Sequence, residues 1–516
     1  MMTQPRLQYK ASSGAAREAG YVVVRFVSPE GCDIIASSND HNRRCQVTTE
    51  KTTFALFFGN RGFFPASLLA EAREELPRVL KSMGHDVLVL DAEATRYGAV
   101  ETPREGEIYA NFLAENRGKF DGVILSLPNF GDETGAVAAL KDAGVPIFIQ
   151  GYPDDMDRMA PEVRRDAFCG KLSIMDVFHQ YGLKFTALKP HVVSPTSARF
   201  RENVEHFDRV CRVTAGLRNM VVGAIGARTT AFKTVRIDEV ALQRHGITME
   251  TLDLSDVFGR MKAVDPAKEP YQAKAQTLRE YTSWAGVPEQ AFERIVRLGV
   301  VLDAVIDEYR MDALALRCWI ELQQQLGISA CVLLGELNNR GIPAACEVDV
   351  GNAVAMAALH YASGEPSTCL DWNNNYGDED DKCILFHCGP VPRSLMAGPG
   401  HIADHAILAN SVGEGCGYGC HVGRIAPFDF TFASMLTEEG KLHFYLGNGA
   451  FTEDPIPSEF FGCGGVAAIP RLQDVLLHVG YKGYRHHVSV TRGQVLEPVR
   501  EALVTYLGFD VAVPQE

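Results

Sequence analysis

The sequence has no run of about 18 apolar residues, so a membrane-spanning helix is not expected. Its opening residues carry no apolar core of signal-peptide length, so secretion is not expected either. Within a formal net charge of −15 no basic stretch stands out, which argues against a nucleic-acid partner. Gly-x-Gly-x-x-Gly and the phosphate-binding P-loop are both missing. The glycine turns that do occur, Gly59-Asn60-Arg61-Gly62 and Gly223-Ala-Ile-Gly226-Ala-Arg228, fit neither pattern. The Gly-x-Ser-x-Gly elbow of serine hydrolases is absent too. The 13 cysteines are odd in number and scattered, as expected of reduced thiols in the cytoplasm rather than a disulfide framework.

What is present reads as a large soluble chain. With 516 residues, 46% hydrophobic and 22% charged, two to four domains are expected. Residues 1–52 have weak periodicity and read as a lead-in, poorly ordered or an extra strand pair. From Thr53 short apolar strands alternate with helices: strand Thr53–Asn60, helix Ser67–Met83, strand Asp86–Asp91, helix Glu107–Phe120, strand Asp121–Leu127, helix Glu133–Ala143 and strand Val145–Gly151. That alternation predicts a parallel sheet covered on both faces, a doubly wound α/β domain over 53–190. A second alternation predicts another over 191–355, with strands Met220–Arg228, Ile247–Leu254 and Asp312–Cys318 and a long helix Pro288–Tyr309. Residues 330–350 read as short apolar runs broken by turns. After residue 365 glycine and proline become frequent and helices scarce. Strands such as Cys383–His387, Phe428–Ala433, His443–Leu446 and His487–Thr491 predict a β-rich, barrel-like domain over 356–516.

Chemistry concentrates near the last two boundaries. Glu347 and Asp371 sit beside apolar residues at an apparent domain junction, and His486-His487 opens a strand. Two carboxylates and an imidazole suit Mn²⁺ or Mg²⁺ better than a thiolate-seeking metal. An isolated Glu or Asp is ordinarily a solvated charge, so on pattern alone this reading and the bland one are level. Asp349 competes with Glu347 for the working role, and its place before Asn352 marks it as a helix cap instead. Adjacent strand residues point to opposite faces, so at most one of His486 and His487 faces a given site. His387, at a strand-to-loop transition, is a third candidate. Arg228 could contact an anionic or hydroxylated ligand, and an ion pair is at least as good a reading. Cys416…Cys420-His421 and Cys383…Cys388 have ligand-like spacing for zinc, but core thiols are the preferred reading.

Taken in order, Phe168-Cys-Gly-Lys-Leu-Ser-Ile-Met-Asp-Val, Val222-Gly-Ala-Ile-Gly-Ala-Arg, Cys346-Glu-Val-Asp, Leu370-Asp, Leu385-Phe-His-Cys-Gly and Gly480…His486-His487 resemble the L-fucose isomerase / L-arabinose isomerase superfamily over residues 53–516. The resemblance implies two α/β domains, a barrel-like C-terminal domain and a homo-oligomer with sites near subunit contacts. It implies a cytoplasmic aldose–ketose isomerase that uses Mn²⁺, or another divalent cation such as Mg²⁺ or Co²⁺, on a monosaccharide or modified sugar. Glu347 and Asp371 fall on the paired catalytic carboxylates that also bind metal, and His487 on the metal-binding imidazole. His486, Arg228 and His387 are carried as substrate-binding candidates. The implied chemistry passes through an enediolate, with a carboxylate pair handling the protons. The alternatives are another metal-dependent sugar lyase or epimerase, and a non-catalytic sugar-binding module.

Overall fold

The computed structural model describes residues 52–229 and 231–516; the predicted lead-in lies, apart from Thr52, outside the described residues. Strands β1 (Thr53–Phe58), β2 (Asp86–Val89), β3 (Gly122–Leu127) and β4 (Ile147–Gly151) form a wholly parallel sheet in the order β2-β1-β3-β4. β3 and β4 are buried along their whole length, as parallel strands covered on both faces must be. Helices α1 (Ala66–Ser82), α2 (Pro103–Glu115), α3 (Glu133–Leu140) and α4 (Ala167–Gln180) accompany them. α2 starts a turn earlier than periodicity alone predicts. Thr102 caps it by accepting from Glu105 N, and Pro103 occupies the first helical position, where its missing N–H costs nothing.

The long helix α5 (Ala198–Leu217) leads into a second sheet. Its strands β5 (Val221–Ile225), β6 (Thr248–Leu252), β7 (Ala313–Leu316) and β8 (Ala344–Cys346) are again all parallel, in the matching order β6-β5-β7-β8. Helices α6 (Glu239–Arg244), α7 (Leu254–Ala263), α8 (Glu269–Tyr281), α9 (Glu289–Tyr309), α10 (Glu321–Leu326) and α11 (Cys331–Asn339) connect them. The stretch 330–350, read from sequence as apolar runs and turns, thus holds a helix and a strand. In both sheets the chain reverses its direction of growth after the second strand, crossing back to the far side of the first. The carboxyl ends of β5 and β7 therefore flank a crevice, where open α/β sheets bind ligands.

Helix α12 (Val350–Ser363) joins the second sheet to the last domain. Every residue from Val350 to Ala362 is buried, against α5 on one side and barrel residues such as Ala433 and Met435 on another. A helix apolar all round belongs in a core. The barrel strands are β9 (Ser367–Tyr376), β10 (Glu379–His387), β13 (Phe428–Glu438), β14 (Lys441–Phe451), β15 (Cys463–Ala468) and β16 (His487–Arg492), with β11 (His401–Ala403), β12 (Cys420–Arg424) and β17 (Asp510–Ala512) outside the ring. The order β15-β10-β9-β16-β13-β14 closes through a β14–β15 pairing, giving a six-stranded antiparallel barrel. Closure removes the exposed edges that an open sheet would leave. Helices α13 (Leu472–Tyr481) and α14 (Leu496–Glu501) lie in the same domain; α14 passes into a wider π-type turn at Ala502–Tyr506.

Candidate active site

Four chain segments bring the predicted residues together. Glu347 follows directly on β8. Asp371 lies on β9 opposite His487, the first residue of the neighbouring β16. His387 ends β10, the strand on the other side of β9. Glu347 Oε2 lies 2.8 Å from His487 Nε2, and Asp371 Oδ1 lies 3.4 Å from the same nitrogen. The His387 and His487 rings are 5.7 Å apart, centre to centre. Register explains part of this convergence: pairing puts Asp371 and His487 side by side on one face of the barrel wall.

Glu347 is held in an unusual way. Its φ is 62° and that of Val348 is 59°, in the left-handed region that a β-branched residue rarely enters. Strain of this kind costs on the order of 1–3 kcal/mol per residue and persists only where the surroundings enforce it. Here Val348 N donates to Leu316 O (3.3 Å) and Asp349 N to Cys346 O (3.0 Å). The side chain is fixed by Trp319 Nε1, which donates to Oε1 at 3.0 Å.

His487 is fully buried and oriented by Asp349. Its Nδ1 is 2.8 Å from Asp349 Oδ2, so the Nδ1 proton goes to that carboxylate and Nε2 is turned toward Glu347 and Asp371. Asp349 also caps α12 through Asn352 N (3.0 Å), accepts from Asn352 Nδ2 (2.7 Å), and pairs with the buried Arg485 guanidinium. Sequence reasoning gave Asp349 only its capping role, and the structure adds two more. Arg485 carried no signal at all, although it directly precedes the histidine pair; nor did Trp319.

The polar atoms left over point at one place. Glu347 Oε2, Asp371 Oδ1, His487 Nε2 and His387 Nε2 are all buried and have no aligned hydrogen-bond partner. Buried polar atoms are normally satisfied, so four converging exceptions call for a ligand. Their environments differ. Burial raises the Asp371 carboxyl above its usual range, and nearby imidazoles only partly offset this. At Glu347 burial acts the same way, but His487 and His387 outweigh it and the carboxyl is lowered. Burial also disfavours charge on His487, yet Cys369, Glu347 and Asp349 hold it well above the ordinary range. The site attracts positive charge. Two carboxylate oxygens and an imidazole nitrogen make the hard-to-borderline donor set that Mn²⁺ and Mg²⁺ prefer. Ligand-type atoms of Glu347, His387 and His487, and separately of Asp371, His486 and His487, lie within 4.8 Å of one another, as one shared cation requires. The residues therefore fit a divalent metal.

The remaining candidates sit around this core. The Cys388 backbone N–H donates to His387 Nδ1 (2.9 Å), which leaves Nε2 as the proton-bearing nitrogen facing the carboxylates. His486 is half-exposed at the rim, with Nε2 3.6 Å from Asp371 Oδ1 and its ring edge-on to Phe232. Arg228 is exposed on the loop after β5 and donates to Thr229 O (3.2 Å); it is not among the converging groups. The two cysteine pairs singled out by spacing do not pair up as ligands. Cys383 packs in the barrel core, and Cys416 is partly exposed in a loop.

Two parallel α/β sheets, a closed barrel, and a carboxylate–imidazole cluster where the second sheet meets the barrel define a class: an α/β-plus-barrel protein whose buried polar cluster has a donor set that fits a divalent cation. The comparisons narrow the class. The model of the fucose/sulfoquinovose isomerase N-terminal domain matches residues 55–218, and that of the L-fucose isomerase C-terminal domain matches residues 385–514. Sulfoquinovose isomerases from Priestia aryabhattai and Priestia megaterium are each 22% identical over 397 residues, covering 76% of this chain and 85% of theirs. One from Alkalicoccus urumqiensis matches to the same extent. A periplasmic solute binding protein from Actinobacillus succinogenes with bound D-allose aligns over 60% of this chain and 92% of its own at 14% identity, but its TM-score of 0.16 carries no weight. The chain belongs to the fucose isomerase-like sugar isomerases, and it is an aldose–ketose isomerase.

Proposed function

We propose that this enzyme is divalent-metal-dependent, with Mn²⁺ the first choice, and interconverts an aldose and a ketose through an enediolate. The observation that carries the reading is the convergence of four buried atoms from Glu347, Asp371, His387 and His487 that face one another without an aligned hydrogen bond. Glu347, Asp371 and His487 hold the metal. When bound, the metal supplies Lewis acidity toward the hydroxyl and carbonyl oxygens of the sugar.

The chain's own groups then move the protons. The proton on carbon next to a carbonyl is too weakly acidic for an unaided carboxylate, so charge must be offset where it develops. One carboxylate of the Glu347–Asp371 pair takes the carbon proton and returns it to the neighbouring carbon. The other handles the oxygen proton. His387 Nε2–H donates to an oxygen that becomes anionic, and His486 meets the sugar at the rim. Trp319 keeps Glu347 in one rotamer, so the base does not need to be re-aimed in each cycle.

The names of the relatives make a sulfonated hexose the first substrate to try, with fucose second. The eleven described cysteines are all free, which supports a reducing compartment such as the cytoplasm. A homo-oligomer is supported by large apolar side chains left exposed around the first sheet, among them Phe168, Leu172 and Met156.

The test is a panel of aldoses and ketoses, including sulfoquinovose and fucose, incubated with Mn²⁺ in D₂O and followed by NMR. A product of unchanged carbon skeleton with deuterium at C1 or C2, abolished by EDTA and restored by Mn²⁺, supports the proposal. Two fragments, or inversion at one carbon without carbonyl migration, would overturn it in favour of a lyase or an epimerase.

A further inference from the structure

Behind the site lies a second constellation. Cys331, Cys346 and Cys388 come from the start of α11, the end of β8 and the residue after β10, and their sulfurs all lie within 4.8 Å of one another. Cys331 Sγ is 3.2 Å from Cys388 Sγ and 4.0 Å from Cys420 Sγ, at the start of β12. Cys331, Cys346 and Cys420 are at most 1% exposed and Cys388 is 9% exposed. Three of these thiols converge on one point, and Cys420 stands beside Cys331 as the fourth. A single disulfide would leave the others unpaired, and apolar packing gives sulfurs no reason to seek each other.

We propose that Cys331, Cys346, Cys388 and Cys420 form a second, structural metal site that takes zinc. A tetrahedral zinc with Zn–S bonds of about 2.3 Å places its sulfurs about 3.8 Å apart, between the Cys331–Cys388 and Cys331–Cys420 separations, so Cys420 closes in on Cys346 and Cys388 when the metal binds. Thiolates select zinc over the hard cation suited to the carboxylate site, so the two sites do not compete. Cys331 opens a nine-residue helix, where the N-terminal field favours a thiolate. Zinc binding releases the thiol protons to solvent and changes no oxidation state.

The placement gives the site a purpose. Cys346 precedes Glu347, and Cys388 follows His387. Consecutive residues at strand ends face opposite ways, so each thiolate is backed by a group of the sugar site. Zinc would clamp β8 of the second sheet to β10 and β12, and so fix the separation of Glu347 and His387. This inference stands whether or not the chain isomerises a sugar.

The experiment uses the full chain, purified without a metal-affinity tag and dialysed against EDTA under conditions that strip the carboxylate site. Elemental analysis is expected to find one zinc per chain still bound. An organomercurial should release it, as read by a zinc-sensitive dye. Cobalt substitution should give the near-ultraviolet charge-transfer band of thiolate ligation. Cys331→Ser should lose the zinc, while Cys383→Ser, at a buried thiol outside the cluster, should retain it. The measurement on the unaltered chain stands even if the serine variant fails to fold. The proposal is overturned if the stripped protein holds no zinc and all 13 thiols titrate on denaturation. It is equally overturned if peptide mapping finds Cys331 and Cys388 joined in a disulfide.

Discussion

At the scale of single residues the decisive positions are Glu347 and Asp349, two apart in the chain and different in task. Glu347 reaches into the site from a strained backbone and is steadied by one indole donor. Replacing it with Gln keeps shape and removes the base. Turnover should fall by roughly a hundredfold or more, with circular dichroism and the urea midpoint close to the parent. Near-normal activity in that variant would remove Glu347 from the mechanism. Asp349 is fully buried, and its partners are Arg485 and His487, through which it acts. Asp349→Asn leaves the helix cap in place but strands a buried guanidinium, which should cost about 3–5 kcal/mol. It also loosens the hold on His487 Nδ1, so Mn²⁺ affinity should drop about 10–100-fold. Urea unfolding and a calorimetric Mn²⁺ titration read the two effects separately. Unchanged metal affinity would reduce Asp349 to a capping residue. Asp371 and His487 were singled out by their immediate neighbours in the chain and by the family resemblance; their pairing across β9 and β16 joins distant stretches and was not legible. Arg485 was not, since only the folded topology puts it 136 positions away against Asp349.

At the scale of elements, α12 carries the link between sheet and barrel, and its end shows how burial sets a pH response. His360 is buried near the last turn, with Nδ1 2.8 Å from Glu365 O. Burial lowers its pKa below the ordinary 6.5, so the folded ring stays neutral where the unfolded ring takes up a proton. The unfolded state then binds more protons as the pH falls, and stability present above about 6.5 is lost below it. His360→Asn preserves a donor near Glu365 O and removes the titration. The variant's unfolding free energy should therefore fall less steeply between pH 6.5 and 5, by up to about 1.4 kcal/mol per pH unit. Denaturant titrations at several pH values check this; parallel slopes would show that His360 does not contribute. The elements themselves were legible to different degrees. Most strands of the parallel sheets were found because burial on both faces leaves them largely apolar; the buried exceptions Ser126 and Gln150 satisfy each other by a hydrogen bond. Helices α4, α7 and α8 were missed. On α4, Phe168 and Leu172 lie on the exposed side and blur the apolar stripe that a helix normally shows. The β13 and β14 strands extend several residues past their apolar cores because pairing continues along the whole hairpin.

At the scale of the molecule, three kinds of layer meet where the chemistry is. The second sheet delivers Glu347, the barrel delivers Asp371, His387 and His487, and α12 fixes one against the other. The first sheet delivers none of them. Its described surface nevertheless carries apolar side chains that a lone subunit has no reason to show: Met156 is 89% exposed, Phe63 80%, Phe168 57% and Leu172 51%. Phe168 and Leu172 are one turn apart on α4. Nearby, Phe63 packs on Phe64, which stacks near Phe130, and Gly170 of the same helix abuts Phe130. Contiguous apolar patches of this sort mark contact surfaces. A second copy of this chain is the simplest partner, since symmetric self-association buries the same patch twice. Light scattering after gel filtration should then give a mass that is a multiple of 56.5 kDa. Phe168→Glu combined with Leu172→Glu places two charges on the patch without touching any ligand of the proposed metal. That variant should shift toward the single-chain mass while keeping its circular dichroism and its Mn²⁺ affinity. If the unaltered protein already runs at the single-chain mass, the patch serves something other than self-association, and the first sheet has no part in building an oligomer.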